Sequence, residues 1–335
     1  MTRGLVVERP GELGLQTLPE RAPGPGEALV RPAYCGLCGT DLELYAGEVD
    51  PAFVRYPLVL GHEWSGVVEA VGEHVSGLQV GTRCVAEGII PCGTCAACHA
   101  GATNVCETYD EIGFTRPGGA ADHVLVPARL VHRLDDGVAL RDAALTEPTS
   151  VVLTGLEKLP LRPGLRVAVV GDGTIALLAI LLVSLWSPAA IDVFGQREDQ
   201  EALSLELGAT SFSTAMPDGR YDLAIEAAGS VDALAAAVRI VRRGAQVLTL
   251  GLPPTSSTLR LPGDLLVNND IALIGSFGYT SAAWARVVTL LNTGRLQPGA
   301  LITHILPLDR YAAAFDELRA PSGPRGKVML EVSGG

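Results

Sequence analysis

The chain has 335 residues, 48% of them hydrophobic, and 37 acidic side chains against 25 basic ones give a net charge of −12. That length allows about two domains, and the composition is that of a globular chain, not a disordered one. The acidic balance excludes nucleic acid as a partner, since a phosphate backbone needs a basic face. Lysine occurs only at Lys158 and Lys327 while arginine occurs 23 times, a bias of genome composition that says little about function. The longest apolar run, Ile175 to Val183, is short of the ~18 residues a membrane span needs, so no membrane partner is expected. The opening M-T-R-G-L-V-V-E-R-P reads as a strand and not as a signal peptide. Seven cysteines, five of them in metal-ligand patterns, point to a reduced, cytoplasmic setting.

Residues 1–60 show short alternating runs broken by Pro and Gly, the pattern of a compact β-domain, with Pro23-Gly24-Pro25-Gly26 as a turn before a strand. Within and after them stand C-G-L-C-G-T-D, from Cys35 to Asp41, and G-H-E-W-S-G-V-V-E-A-V-G, from Gly61 to Gly72. The Cys38 thiolate and the His62 imidazole suit zinc. The Thr40 hydroxyl, two residues past the thiolate, can sit beside the metal and pass a proton. Asp41 is placed to orient His62 through its other ring nitrogen. Glu63 either ligates the metal or competes with water for it. Cys35 completes a C-x-x-C with Cys38, which could be a redox pair; packing is the reading preferred for it and for Cys84. Gly61, Gly66 and Gly72 mark tight turns or close backbone approaches.

Cys92, Cys95, Cys98 and Cys106 follow, four thiolates at spacings of three, three and eight residues. This is a closed four-thiolate zinc site with no room for a reacting water, and it pins a lobe, 88–110, that lacks its own core. A zinc-ribbon nucleic-acid module is disfavoured because residues 86–125 carry few basic side chains. His99 is expected in solvent, and His123 and His132 are expected to carry no chemistry.

Residues 151–163 read as a helix ended by Pro160 and Pro163. Arg166 to Gly171 is a short buried strand, and Gly171-Asp172-Gly173-Thr174-Ile175-Ala176 leads into an apolar helix. This is G-x-G-x-x-A in a βαβ unit. Gly171 permits the turn, and Gly173 lets the amides of Thr174 and Ile175 approach a pyrophosphate at the helix start. Further strands are expected at Ala190 to Phe194, Tyr221 to Gly229, Ala245 to Gly251 and Ile271 to Ser276. A helix is expected over 283–293, then a tail of Leu301 to Pro307 and Asp309 to Arg319.

The G-H-E run with Gly66 and Gly72, the four-cysteine set and the G-x-G-x-x-A turn together resemble the zinc-containing medium-chain alcohol and polyol dehydrogenases over nearly the whole chain. The resemblance implies an α/β protein: a GroES-like β-rich catalytic domain over 1–148 and 293–335, and a Rossmann doubly wound domain over 149–292. It implies two zinc ions, one catalytic and one structural, with metal and nicotinamide in a cleft between the lobes. In the polyol-type branch a Glu-Pro at the hinge faces the catalytic metal, a role carried here to Glu147. Leu250, Gly251 and Leu252 match residues that line the nicotinamide. The acid that takes the ribose 2′-hydroxyl in NAD-selective relatives aligns with Gly195, and Arg197 lies two residues beyond. That favours NADP(H), with NAD(H) as the alternative. Many relatives end their proton relay with a His where this chain has Glu43, which could relay, bind a substrate group or face solvent. The acidic set of Glu43, Glu63 and Glu147 suits a polyol, sugar or aminosugar. The stretches G-H-E-W-S-G and E-G-I-I-P-C-G are similar to the 2-deoxy-scyllo-inosamine dehydrogenases of aminoglycoside biosynthesis. A ketone-reducing step in such antibiotic pathways, in a homodimer or homotetramer, is the expectation. A catalytically silent binding protein is the rival, and the presence of Cys38, His62 and Gly173 speaks against it.

Overall fold

The computed structural model describes residues 2–108, 110–320, 323 and 325–333. Two compact units emerge: Met1–Glu147 with Thr280–Ala320 and Lys327–Gly335, and Pro148–Tyr279 with Pro321–Gly326. No described helix is long and apolar enough to cross a membrane.

The first unit is built on a seven-stranded sheet. Its central strand, Glu27–Leu37, pairs antiparallel with Glu63–Val71 on one side and with Lys327–Glu331 on the other. Buried residues Val30, Leu60, Val68, Val126 and Leu330 belong to one cluster beside it. Each such side chain contributes roughly 1.5–3 kcal/mol on leaving water. Gly66 and Gly72 are required by this packing. A Cβ on Gly66 would lie 2.3 Å from the carbonyl oxygen of Arg31, and one on Gly72 only 1.8 Å from that of Gly24.

Register is what assembles the site. Gly36 faces Glu63 and Cys35 faces Trp64 across the central pair. The chain leaves Leu37 into the helix Gly39–Ala46, whose N-cap is Cys38. Cys38 therefore arrives beside the start of the strand that carries Glu63, with His62 one residue before it.

The second unit is a six-stranded, all-parallel sheet in the order Ser211–Ser213, Ala190–Phe194, Arg166–Val170, Tyr221–Glu226, Val241–Thr249, Ala272–Gly275. That is the 3-2-1-4-5-6 order of a doubly wound dinucleotide fold. The V-A-V-V and I-D-V-F runs are near-continuously apolar because both faces are covered. The helix Thr174–Ser184 follows the first of these strands and buries Ala176, Leu177, Leu178 and Ile180.

Several elements differ from expectation. The helix expected over 151–163 spans Thr146–Leu156, because Pro148 falls in its first turn, where a missing N–H is tolerated. The strand expected to reach Gly229 stops at Glu226, whose carboxylate turns back to accept from the N–H groups of Ala228 and Gly229. The strand expected over Ala245 to Gly251 spans Val241–Thr249. The helix Ser281–Asn292 groups with the first unit rather than the second. Ser281 is hydrogen-bonded to Glu87, and Asn292 both donates to the carbonyl of Arg133 at 3.2 Å and accepts from the N–H of Asp135 at 3.0 Å.

Candidate active site

One ligand atom each from Cys38, His62 and Glu63 lies within 4.8 Å of the other two. Asp41 is fully buried. Its Oδ2 accepts from the Cys38 backbone N–H at 2.8 Å, and its Oδ1 stands 3.7 Å from His62 Nδ1. This side of the imidazole therefore faces a carboxylate, and the other nitrogen is left for the thiolate side. Thr40 Oγ1 is 3.7 Å from the Cys38 sulfur. His62 Nδ1 and Asp41 Oδ1 are enclosed without hydrogen bonds, while Glu63 Oε2 is met by the Lys327 ammonium. Buried orphans of this kind are costly, and their anionic, soft-plus-imidazole donor set fits a divalent zinc ion.

The charges around the donors are mutually dependent. Burial alone would lower the pKa of His62, but Asp41, Cys38 and Glu147 outweigh it and hold the imidazole well above its ordinary value. Burial raises the Asp41 carboxyl despite His62. Glu147 opens the helix Thr146–Leu156. Burial, reinforced by Glu63, pushes its carboxyl to about 8. Glu147 is thus close enough to act on the trio's charges but is not one of the three atoms at mutual ligand distance. Cys35 is buried, and its thiol is pushed well up by that burial, so it packs rather than reacts.

Glu43 behaves differently. Its carboxylate makes no hydrogen bond or ion pair among the described residues, and burial together with Glu48 raises its pKa. No bond ties it to Thr40.

Two residues of this site were not singled out by sequence. Lys327, fully buried, places its ammonium against both oxygens of Glu63; its signal was only the rarity of lysine. Glu111 has its carboxyl pushed to about 7 by burial against the pull of His62. The neighbouring turn lies close enough that a Cβ on Gly113 would sit 3.0 Å from the backbone of Gly61 and His62.

The four other cysteines also converge within 4.8 Å. Cys92 and Cys98 sulfurs are 3.9 Å apart, as are those of Cys95 and Cys106. A tetrahedron of Zn–S bonds of about 2.3 Å has edges of about 3.8 Å, so the spacing fits a closed zinc site. Backbone N–H groups of Thr94 and Cys95 donate to the Cys92 sulfur, each at 3.4 Å, and bring its thiol down to about 5. His99 is exposed, as expected. His132 and His123 pair with Glu87 and Glu69, and neither belongs to a cluster of converging ligand atoms.

In the second unit Gly171 has φ +130, and a Cβ there would lie 2.8 Å from the backbone of Ala227. Gly173 caps the eleven-residue helix without a side chain, and nothing lies within 4 Å of the position its Cβ would take. Among the described residues the N–H groups of Thr174 and Ile175 have no acceptor, and they and this open space fit a pyrophosphate. Leu250 and Gly251 both donate backbone N–H bonds to the carbonyl of Glu226, and Leu252 beyond them is 79% exposed. A Cβ on Gly195 would meet the Asp172 carboxylate at 2.8 Å. Asp172 is hydrogen-bonded by the backbone N–H groups of Gln196 and Arg197 and by Arg197 Nη2 at 2.8 Å. Burial pushes its carboxyl up, but these donors hold it below the usual range. Arg197 Nη1 is buried and has no hydrogen-bond partner. Asp192, too early to serve as the ribose acid, is committed to Ser211, Tyr221 and Arg166.

Residues 24–136 match the alcohol dehydrogenase GroES-like domain. A sorbitol dehydrogenase of Halalkalibacterium halodurans is 28% identical, covering 96% of both chains. An L-threonine 3-dehydrogenase of Deinococcus deserti is 30% identical, covering 92% of each. Among solved structures, a proposed zinc-binding dehydrogenase of Sinorhizobium meliloti bound to NADP is similar with a TM-score of 0.92, at 27% identity over 99% of both chains.

Proposed function

Because this chain belongs to the zinc-containing medium-chain alcohol and polyol dehydrogenases, and is therefore an oxidoreductase, we propose that it interconverts a secondary alcohol and a ketone on a polyol, sugar or aminocyclitol. The observation that supports this most is the surplus of buried and half-buried carboxyl groups around Cys38 and His62. Asp41, Glu63, Glu111 and Glu147 act on this cluster, and Lys327 is the cation that answers them. A hydroxyl-rich or ammonium-bearing substrate gives Glu147 a donor to bind, whereas an apolar alcohol leaves it unpaired at a cost of roughly 1–3 kcal/mol.

A zinc ion held by Cys38 and His62, with Glu63 or Glu147 adjacent, would supply Lewis-acid polarisation of the substrate oxygen, and bound NADP(H) would supply or take the hydride. The remaining work falls to this chain's own groups. Asp41 fixes the ring of His62. Thr40, beside the Cys38 sulfur, holds the substrate hydroxyl proton and releases it. Glu147 is the carboxylate poised for a neighbouring hydroxyl or ammonium. Glu43 is assigned to the substrate's outer groups or to solvent, since no bond joins it to Thr40. The second cluster, Cys92, Cys95, Cys98 and Cys106, takes a structural zinc. A reduced, cytoplasmic setting agrees with seven free thiols.

For the cofactor, Gly195 offers no acid and Arg197 keeps one buried guanidinium nitrogen unpartnered, which supports a 2′-phosphate and hence NADP(H). The NAD(H) reading has one observation in its favour: the Asp172 carboxylate occupies the space in front of Gly195. Titration with NADPH and NADH separates them. If NADP(H) is the cofactor, Arg197→Ala weakens NADPH by about 10–100-fold, the value of a charged hydrogen bond, and Asp172→Asn strengthens it. If instead Asp172→Asn weakens NADH and Arg197→Ala leaves NADPH unchanged, the assignment passes to NAD(H). Turnover of keto-inositols, keto-aminosugars and simple ketones by zinc-loaded protein tests the substrate class, and an aminocyclitol ketone in antibiotic biosynthesis is the specific candidate. Absence of turnover on all of them removes it.

A further inference from the structure

We propose that the outer face of the first unit's sheet carries a second ligand site, distinct from the metal and nucleotide sites, that binds the phosphate group of a small molecule between Arg31, Arg83 and Arg141. A cavity of about 340 Å3 opens there, lined by these three arginines with Tyr34, Val67 and Leu140. Its size lies in the range of about 300–1,000 Å3 usual for small-molecule sites.

The register explains why the arginines meet. Arg31 pairs with Val67 on the next strand, and Val67 pairs with Arg83 on the strand after that. Directly opposed residues share one face of a sheet. Two guanidinium-bearing side chains therefore flank an apolar floor, separated by two strand spacings, or about 10 Å. That separation lets one tetrahedral oxyanion lie between them. Arg141, from the turn of helix Leu140–Ala143, closes the third side.

The cations are oriented in advance, and two of the three lack an anionic partner among the described residues. Arg83 donates to the backbone carbonyls of Asp135, Asp136 and Val138. Arg31 donates through Nη1 to Ser333 Oγ at 2.9 Å. Among the described residues neither Arg31 nor Arg83 makes an ion pair with a carboxylate. Arg141 gives its Nε to Asp142 at 3.2 Å, which offsets part of its charge and leaves its other N–H groups. The floor is tied down as well: the carbonyl of Leu140 accepts the buried Ser65 hydroxyl. In a chain of net charge −12, three arginines gathered around one cavity, two of them unneutralised, make a local anion site. Guanidinium forks match phosphate oxygens better than any other side chain.

The site is tested on zinc-loaded protein carrying Arg197→Ala, so that phosphate binding at the nucleotide site does not contribute. Isothermal titration with inorganic phosphate and with glucose 6-phosphate, at constant ionic strength set by chloride, should give saturable binding at millimolar concentration or below. Tighter binding of the sugar phosphate identifies an organic phosphate as the occupant, and equal or tighter binding of inorganic phosphate identifies the free ion. The further change Arg31→Gln with Arg141→Gln should weaken either at least tenfold. No saturation by either probe, or unchanged affinity in the double variant, overturns the proposal. Should the double variant fail to fold, Arg141→Gln alone carries the test, because its side chain is 57% exposed, and unchanged affinity then overturns it. Neither outcome bears on turnover at Cys38 and His62.

Discussion

Lys327 and Glu63 stand 264 positions apart in sequence and form an ion pair whose side chains are only 2% and 1% exposed. The pair joins the last strand of the first unit, Lys327–Glu331, to the residue after the proposed metal ligand His62. Removing one member of a buried pair leaves the other charge uncompensated, at about 3–5 kcal/mol. Lys327→Met should therefore lower stability by that order in urea unfolding of the metal-free protein, and the added change Glu63→Gln should recover much of it. A loss under about 1 kcal/mol would show that the pair is not held as described.

Thr40 lies against the Cys38 sulfur, and its hydroxyl is the group proposed to carry the substrate proton. Thr40→Val should lower kcat by about 10²–10⁴-fold, with Thr40→Ser restoring most of it. Metal content by mass spectrometry should not change. An unaffected kcat in Thr40→Val assigns the proton to another group.

Stability of the chelator-treated protein should fall as pH rises. The carboxyls of Glu111 and Glu147 are pushed to about 7 and about 8 in the fold, above an unfolded value near 4.5. Between those values the folded chain binds more protons than the unfolded one, so stability decreases with pH. His62, raised well above its ordinary value, works in the same direction, its contribution being complete below about 6.5 and lost as pH passes its folded value. The melting temperature should drop from pH 5 to pH 8. Glu147→Gln should flatten that slope, and a slope unchanged in the variant would contradict the assignment.

The four-cysteine lobe should hold its metal independently of the catalytic cluster. Cys95→Ser should release about one zinc per chain and lower the melting temperature. The metal at Cys38 and His62 should remain, detectable by cobalt substitution and its visible spectrum. Equal loss from both clusters would mean that the two sites are not separate.

Much of this site was legible in short motifs. Cys38, Thr40, Asp41 and His62 were singled out because the two short motifs that carry them were read together with the four-cysteine set; neither Cys38 nor His62 by itself would have been named. The four cysteines at 92, 95, 98 and 106 converge because short knuckles bring sulfurs together wherever they occur. Lys327 was invisible by the same reasoning: a lone lysine near the C-terminus carries no local pattern, and only the pairing of Val328 with Leu37 brings it to Glu63. Asp172 was read merely as the variable position of a glycine-rich turn. Its contact with Arg197 depends on the parallel pairing of Arg166–Val170 with Ala190–Phe194, which sets the ends of the two strands side by side.

What the amino-acid sequence determined by itself is chemistry fixed by local geometry: two sets of candidate metal ligands, the glycine turn before an apolar helix, and an alternation of strands and helices, whose doubly wound order was implied only by the family resemblance. Those follow from short-range sterics and ligand preference, which need no distant partner. The tertiary structure decided which charges face one another. Lys327 neutralises Glu63, Asp172 stands in front of Gly195, and Arg31 and Arg83 share one sheet face across Val67. Such pairings are set by strand register, and register is a property of the folded sheet rather than of any segment in it.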